Sequence, residues 1–366
     1  MGLHIVKREN CPLWKKALFY VAAIAAALLL GGVILLSIGV DPVAYYTRMF
    51  TMGTVGNKIA YKTYINYLKD FVPLVLTSLA LSLAFKMRFW NIGGEGQFIM
   101  GAIAATAVAL LLGNTLPSAV VLILMCLAAM LAAGLYGVMV AALKVRFGTN
   151  ETLLTLMLNY IALYVLKYLM ETKVSWNFFL NPNELRPVPQ SHPAGAMFPS
   201  IPLGGKFTLN ICVILVLAIG ILIYLYLKRT KQGYEISVVG DSAGTARYAG
   251  MKVNTIVLRT VFLSACLIGL AAAFKMGTVG TLSTAITNDV GWTGIIVAWL
   301  AQLNTVAIFV VSALIGVLHY GSTVAAATFS QVDSSFANML QGFILFLVLA
   351  ADFVIRFRIL RTKKEG

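Results

Sequence analysis

The sequence predicts an all-α polytopic membrane protein with about ten transmembrane helices in two inverted-topology repeats. Three observations carry this. Hydrophobic residues make up 60% of the 366, charged residues 11%, and the mean hydropathy is +0.88, outside the range of a soluble domain. Several runs reach the roughly 20 apolar residues that cross a hydrocarbon core as a helix. Residues 17–40 and 117–143 carry no charge, and 337–355 carry only Asp352. Lastly, two apolar runs are short, and each follows a glycine-rich polar segment of similar spelling.

Taken in order, the spans fall at about 17–40, 71–87, 98–113, 117–143, 152–170, 209–227, 255–274, 291–303, 305–320 and 337–356. An even number places both termini on one side. Most of the 28 lysines and arginines, among them Lys7, Arg8, Lys15, Lys16, Lys228, Arg229, Lys363 and Lys364, then fall in inside segments, so the N- and C-termini are read as cytoplasmic. Lys58, Lys62 and Lys69, in an expected outer loop at 41–70, run against that bias. The basic N-terminus resembles a signal peptide, but the run 17–40 exceeds an h-region of about 7–15 residues, and it is read as a retained first helix.

The net charge of +15 raises nucleic-acid binding. The cations are scattered around helix ends and form no contiguous stripe, so no nucleic-acid partner is expected. Cys126, Cys212 and Cys266 lie in apolar runs and Cys11 in the basic N-terminus; buried thiols are the default reading. CxxC, HExxH and GxxxxGK[ST] are all missing from the sequence, and His4, His192 and His319 are dispersed. That argues against a metal site and against self-contained ATP hydrolysis.

The short spans are 98–113 and 291–303. At about 1.5 Å per residue neither crosses roughly 30 Å alone. Their approaches, Asn91-Ile-Gly93-Gly-Glu95-Gly96 and Asp289-Val-Gly291-Trp292-Thr-Gly294, share the pattern Asn/Asp-x-Gly-x-x-Gly. "AGLYGVMVAAL" around Gly137 likewise matches "SALIGVLHYGS" around Gly316. Spans two to five and seven to ten therefore read as inverted repeats with broken helices near 91–113 and 289–303, the arrangement by which transporters build a midplane site. Non-helical backbone at membrane depth is tolerated where protein buries it or water lines it. The expected substrate path comprises Trp90, Asn91, Glu95, Gln97, Asn159, Asp289 and Trp292. For Glu95 two roles stand side by side: a path-lining acceptor, or a carboxylate that ties Lys86 or Arg88 or caps free amides at a helix start. The tryptophans either stack on a ring or anchor at the interface.

The chain reads as one transmembrane domain, 1–366, with an outer loop at 171–208 and a cytoplasmic loop at 228–254. In the latter, Asp241 or Ser242 can cap a short helix through Ala249, which Gly250 ends in the left-handed conformation. That helix suits docking into a partner's groove, or lies as a connector on anionic headgroups. The outer loop carries prolines from Pro182 to Pro202 and is expected to be irregular, either a rim connector or a landing surface.

The segments "WNIGGEGQFIMGAIAA", "ETLLTLMLNYIALYVLKYL" and "GDSAGTARYAGMKVNTIVLRTVFLSACLIGLAAAF" resemble permease subunits of ATP-binding-cassette importers of the ribose/branched-chain-amino-acid type, and within it the nucleoside branch. The resemblance runs from about residue 17 to 356. It implies a bacterial plasma-membrane complex with an ATPase subunit, a second permease subunit (often a different chain) and an extracellular solute-binding lipoprotein. It also implies that ATP and Mg bind the partner ATPase and that this chain holds no cofactor. The family's coupling segment maps onto Gly240, Asp241, Ala246, Arg247, Tyr248 and Gly250. Gly240, Ala246, Arg247, Tyr248 and Gly250 match its pattern, whereas Ser237, Asp241, Ser242 and Thr245 depart from it, which leaves the exact contacts open.

The expected function is conduction of a nucleoside, driven by ATP hydrolysis on the partner. Two alternatives stand: the same machinery carrying ribose or another simple sugar, and a proton-coupled secondary transporter using Glu95 or Asp289. In the ATP-driven reading, the Asp241–Gly250 helix is continuous with the seventh span and rocks one half against the other.

Overall fold

The computed structural model describes residues 2–7, 12–204, 206–333 and 335–362; Arg8, Cys11, Lys363 and Lys364 lie outside them. The strand β1 (Gly2–Lys7) leads into the helices α1 (Leu13–Ser37), α2 (Pro42–Phe50), α3 (Ala60–Lys86), α4 (Gly94–Leu112), α5 (Ser118–Phe147) and α6 (Glu151–Glu171). A hairpin, β2 (Ser200–Gly204) and β3 (Phe207–Asn210), precedes α7 (Ile211–Arg229), α8 (Lys231–Asp241) and α9 (Ala243–Tyr248). The remainder is α10 (Val253–Val279), α11 (Val290–Leu300), α12 (Thr305–Ala326), α13 (Phe336–Arg356) and β4 (Phe357–Thr362). Among the described residues nine helices are long and apolar enough to cross a membrane, and α11 is a shorter apolar helix. The chain is an all-α polytopic membrane protein.

Three boundaries differ from the sequence expectation. The outer loop at 41–70 holds α2 and the first turns of α3, so Lys62 and Lys69 are helical. A charged residue inside that helix is tolerable because Asp70 pairs with Lys275 of α10. The helix expected at 98–113 begins at Gly94 and has 19 residues, while α11 has only 11. Only the second short span is therefore short, about 16 Å long at 1.5 Å per residue. The cytoplasmic loop contains α8 as well as the expected short helix. Gly250, Met251 and Lys252 separate α9 from α10, so the two are not continuous.

The chain forms two compact units, Tyr64–Leu314 and Met1–Thr63 with Ile315–Gly366. In the larger one, α10 packs along α5 and α4 through small residues. A Cβ at Gly101 would lie 2.9 Å from Gly269 Cα, and one at Gly269 would collide with the Ala129 carbonyl. Small side chains let the backbones approach, the means by which membrane helices gain dispersion contacts without a hydrophobic driving force. Cys212 and Cys266 are buried free thiols, and Cys126 is half-buried. Asn150 accepts from the amides of Thr152 and Leu153 at 3.0 and 3.3 Å, an N-cap that sets the start of α6.

In the smaller unit α1 packs on α13. Tyr45 of α2 is fully buried, hydrogen-bonds Ser322 at 2.8 Å and meets Phe336 edge-on at 5.1 Å. β1 pairs antiparallel with β4, Gly2 opposite Thr362 and Lys7 opposite Phe357. The start of α1 and the end of α13 are therefore brought side by side.

Candidate functional site

The glycine-rich approaches meet. Asn288 and Asp289 take left-handed backbone angles, φ +46° and +57°, and lead into α11. Asp289 stands at the N-cap position without a side-chain capping bond. The cap arrives from another helix: Gly291 N–H donates to Glu95 Oε2 at 2.8 Å, with Thr287 and the Trp292 amide also in hydrogen-bonding reach of that carboxylate. A Cβ at Gly291 would run into the backbone of Glu95, so glycine is what allows the contact.

The start of α4 is satisfied in the same manner. Gly96 N–H donates to Asn159 Oδ1 of α6 at 2.8 Å, and Asn159 Nδ2 donates to the Ile92 carbonyl at 2.9 Å. Asn91 and Gln97 exchange two amide hydrogen bonds, at 3.1 and 3.2 Å, and Asn91 Oδ1 also accepts from Gly93 N–H at 3.1 Å. Free amides at a helix start need partners where no water reaches. Here α6 caps α4, and α4 caps α11. Asn91, Glu95, Gln97 and Asn159 are all buried. The carboxylate performs the amide-capping role of the two considered for Glu95; none of the three ion pairs found among the described residues includes it, Lys86 or Arg88.

Trp90, Trp292 and Asp289, by contrast, are exposed. Trp90 stacks on Trp299 with centroids 5.3 Å apart and planes within 15°, and Phe85 packs on both.

The segment 228–254 packs on the chain that leads into this site. Ser242 Oγ accepts from Thr245 N–H at 3.2 Å and starts α9; Gly250, at φ +78°, ends it. Ala246 is buried while Arg247 and Tyr248 point outward, Tyr248 with 97% of its surface free. Ala246, Ile236 and Val239 join Met87, Phe89, Val140, Leu158 and Val253 in one apolar cluster. Gly240 lies against the Lys86 carbonyl so closely that a Cβ would collide with it. A packed contact thus runs from α8–α9 to Phe89, which directly precedes Trp90 and Asn91. Sequence reasoning missed α8. Its two glycines and its Ile and Val residues are poor helix formers, and only packing and the Thr230 cap on Gly233 at 3.1 Å reveal why it holds.

The loop 171–208 is tied to the end of α10. Ser191 bridges to Thr281, His192 N–H donates to the Gly280 carbonyl at 2.8 Å, and Phe198 N–H to the Gly277 carbonyl at 2.8 Å. His192 is buried with neither ring nitrogen hydrogen-bonded to any described residue, and burial pushes its pKa down to about 4. The folded loop therefore holds it neutral, while the unfolded loop protonates near pH 6.5. This strap is most stable above about pH 6.5 and weakens as the pH falls towards 4, by an amount of up to about 3 kcal/mol. Hydrogen-exchange protection of the His192 and Phe198 amides is expected to fall over that window and to stay flat in His192→Leu; equal pH dependence in the variant would rule out the imidazole as its source.

The family described as "branched-chain amino acid transport system / permease component" matches residues 63–349, and the chain belongs to that family. It is a membrane permease of the ATP-binding-cassette transporters, a membership that implies an ATPase partner and usually a binding protein. The chain is similar to the glucose ABC transporter permease protein TsgB13 of Haloferax volcanii, 29% identical across 98% of this chain and 93% of that one. It is 28% identical to the guanosine ABC transporter permease protein NupP of Bacillus subtilis, across 82% of this chain and 84% of that protein. The nucleoside ABC transporter permease protein NupB of Lactococcus lactis subsp. cremoris is 24% identical across 95% of this chain and 94% of its own length.

Proposed function

We propose that this chain forms the translocation path for a nucleoside in an ATP-driven importer. The observation that carries the reading is the shared apolar cluster in which the outward-facing α9 and Phe89, next to Trp90 and Asn91, are packed together. Motion imposed on Arg247 and Tyr248 by a partner ATPase is passed to the helix starts at Gly94 and Val290 without a flexible joint. ATP and Mg bind that partner; this chain holds no cofactor and has no ATPase site of its own. A second permease subunit and an extracellular solute-binding lipoprotein complete the assembly in the bacterial plasma membrane. Both termini face the cytoplasm, and the halves containing α4 and α11 act as inverted repeats.

Within the path, the exposed Trp90, Trp292 and Asp289 face the solute, and Asn91, Glu95, Gln97 and Asn159 form the frame behind them. Two of the three relatives are named for guanosine or nucleosides, which supports a nucleoside. The glucose-permease relative keeps a sugar as the second reading.

The test is uptake of radiolabelled guanosine and glucose by cells expressing the whole complex. Saturable guanosine uptake that depends on ATP and survives collapse of the proton gradient is expected. Glucose uptake alone would move the substrate to sugars. Uptake that follows the proton gradient and ignores ATP would overturn the ATP-driven mechanism.

A further inference from the structure

The outward faces of the long helices are not alike. Those of α5 and α7 are mainly aliphatic over their middle turns, for example Ile123, Leu127 and Leu131 on the one and Leu217, Ile221 and Leu222 on the other; Phe147 and the half-exposed Tyr224 lie near the ends of those helices. Such faces suit acyl chains. The outward face of α6 carries Tyr160, Tyr164 and Tyr168, spaced four apart and so on one side of the helix, with 53, 64 and 53% of their surface free. Among the described residues no hydrogen bond reaches any of the three hydroxyls.

Tyrosine facing lipid is at home at the headgroup level, where its ring is in hydrocarbon and its hydroxyl in water. Tyr168 fits that description: it lies near the end of α6 and stacks on Trp176, centroids 6.2 Å apart. Tyr160 does not. It lies nine residues after Glu151 and eleven before Glu171, about 14 and 16 Å along the axis from either end at 1.5 Å per residue. A hydroxyl at that depth needs water or a polar partner, because hydrocarbon supplies none. The opposite face of the same helix carries Thr155 and Asn159, the side chains that hold the start of α4. One helix therefore carries the frame on its buried side and, on its open side, a row of tyrosines set among Leu153, Met157, Ile161 and Val165.

From this we infer that the tyrosine face of α6 is a wall of the solute path, on which the ring of the moving solute stacks while the hydroxyls bond its polar edge. The inference rests on the reading of the chain as a solute-conducting permease and adds the contact surface to it. The Tyr164 ring is shared with Lys167 Nζ, 5.5 Å from its centroid, and the Tyr168 ring with Trp176, so Tyr160 is the member of the row whose ring is open to a planar base; base–aromatic stacking tolerates any base.

The test uses the whole complex in proteoliposomes, with Cys11, Cys126, Cys212 and Cys266 of this chain replaced by alanine. Single cysteines are placed at Tyr160 and Tyr164 and, as lipid-facing controls, at Leu127 and Ile221. A charged, water-soluble thiol reagent is expected to modify 160 and 164 and to leave 127 and 221 untouched, with guanosine slowing the reaction at 160 and 164. Protection by glucose and not guanosine keeps the wall and removes the nucleoside reading. Two results overturn the inference: 160 as unreactive as 127, which makes the face a lipid or subunit contact, or modification that no transported solute slows. In the native background, Tyr160→Leu is expected to raise KM for guanosine uptake by about 5- to 100-fold, and Tyr160→Phe by much less. An unchanged KM in Tyr160→Leu would count against the inference independently of the labelling.

Discussion

Glu95→Ala is expected to destabilise the protein by about 1.5–3 kcal/mol and to abolish uptake, whereas Glu95→Gln keeps most of both. The Ala variant leaves the Gly291 N–H, buried at the start of α11, without the acceptor 2.8 Å away. An orphaned buried donor costs its full desolvation, and the N-cap residue Asp289 makes no side-chain cap hydrogen bond to replace it. A glutamine oxygen accepts the same bond without a charge. Thermal unfolding of the solubilised complex and guanosine uptake measure the two effects. The comparison also separates mechanisms. A carrier that moves protons on Glu95 needs its ionisation, so a Gln variant as inactive as Ala would favour proton coupling over a structural cap.

Gly240→Val is expected to uncouple the complex. Its side chain has no room beside the Lys86 carbonyl, so α8 must move off the end of α3, at a cost of about 1–3 kcal/mol for an overpacked contact. The outward face of α9, with Arg247 and Tyr248, is left chemically unaltered. The ATPase subunit is therefore expected to copurify as before while uptake is lost. Gly342→Val in α13, where a Cβ meets nothing within 4 Å, serves as the control and keeps its uptake. Normal uptake in Gly240→Val would show that the force does not travel through α8.

Much of the fold was legible because a bilayer imposes a simple rule on composition. A charge-free run such as 117–143 has no soluble alternative, and α5 covers it. The start of α9 at Ser242 and its end at Gly250 were equally readable, since a hydroxyl cap and a left-handed glycine are local devices. Where packing overrides local signals, the sequence was silent. Lys69 and Asp70 look like loop residues until Lys275, more than 200 positions away, is placed beside Asp70. "WNIGGEGQ" reads as a break in a helix, yet four of its residues, Gly94 to Gln97, are helical because Asn159 of α6 accepts from the Gly96 amide. The tyrosine ladder was invisible for a similar reason: periodicity places Tyr160, Tyr164 and Tyr168 on one face, but only the folded chain tells which face is open.

The sequence by itself determined the solvent, the helical class, the count of apolar segments and the bounds of the short helix from Ser242 to Gly250, because each follows from hydropathy, charge and bonds between near neighbours. The tertiary structure decided which polar groups answer one another. Glu95 with Gly291 and Asn159 with Gly96 are pairings between residues 196 and 63 positions apart. In a medium with no water to satisfy a stray amide, those pairings decide where helices start, and helix starts are where this permease brings its two glycine-rich approaches together.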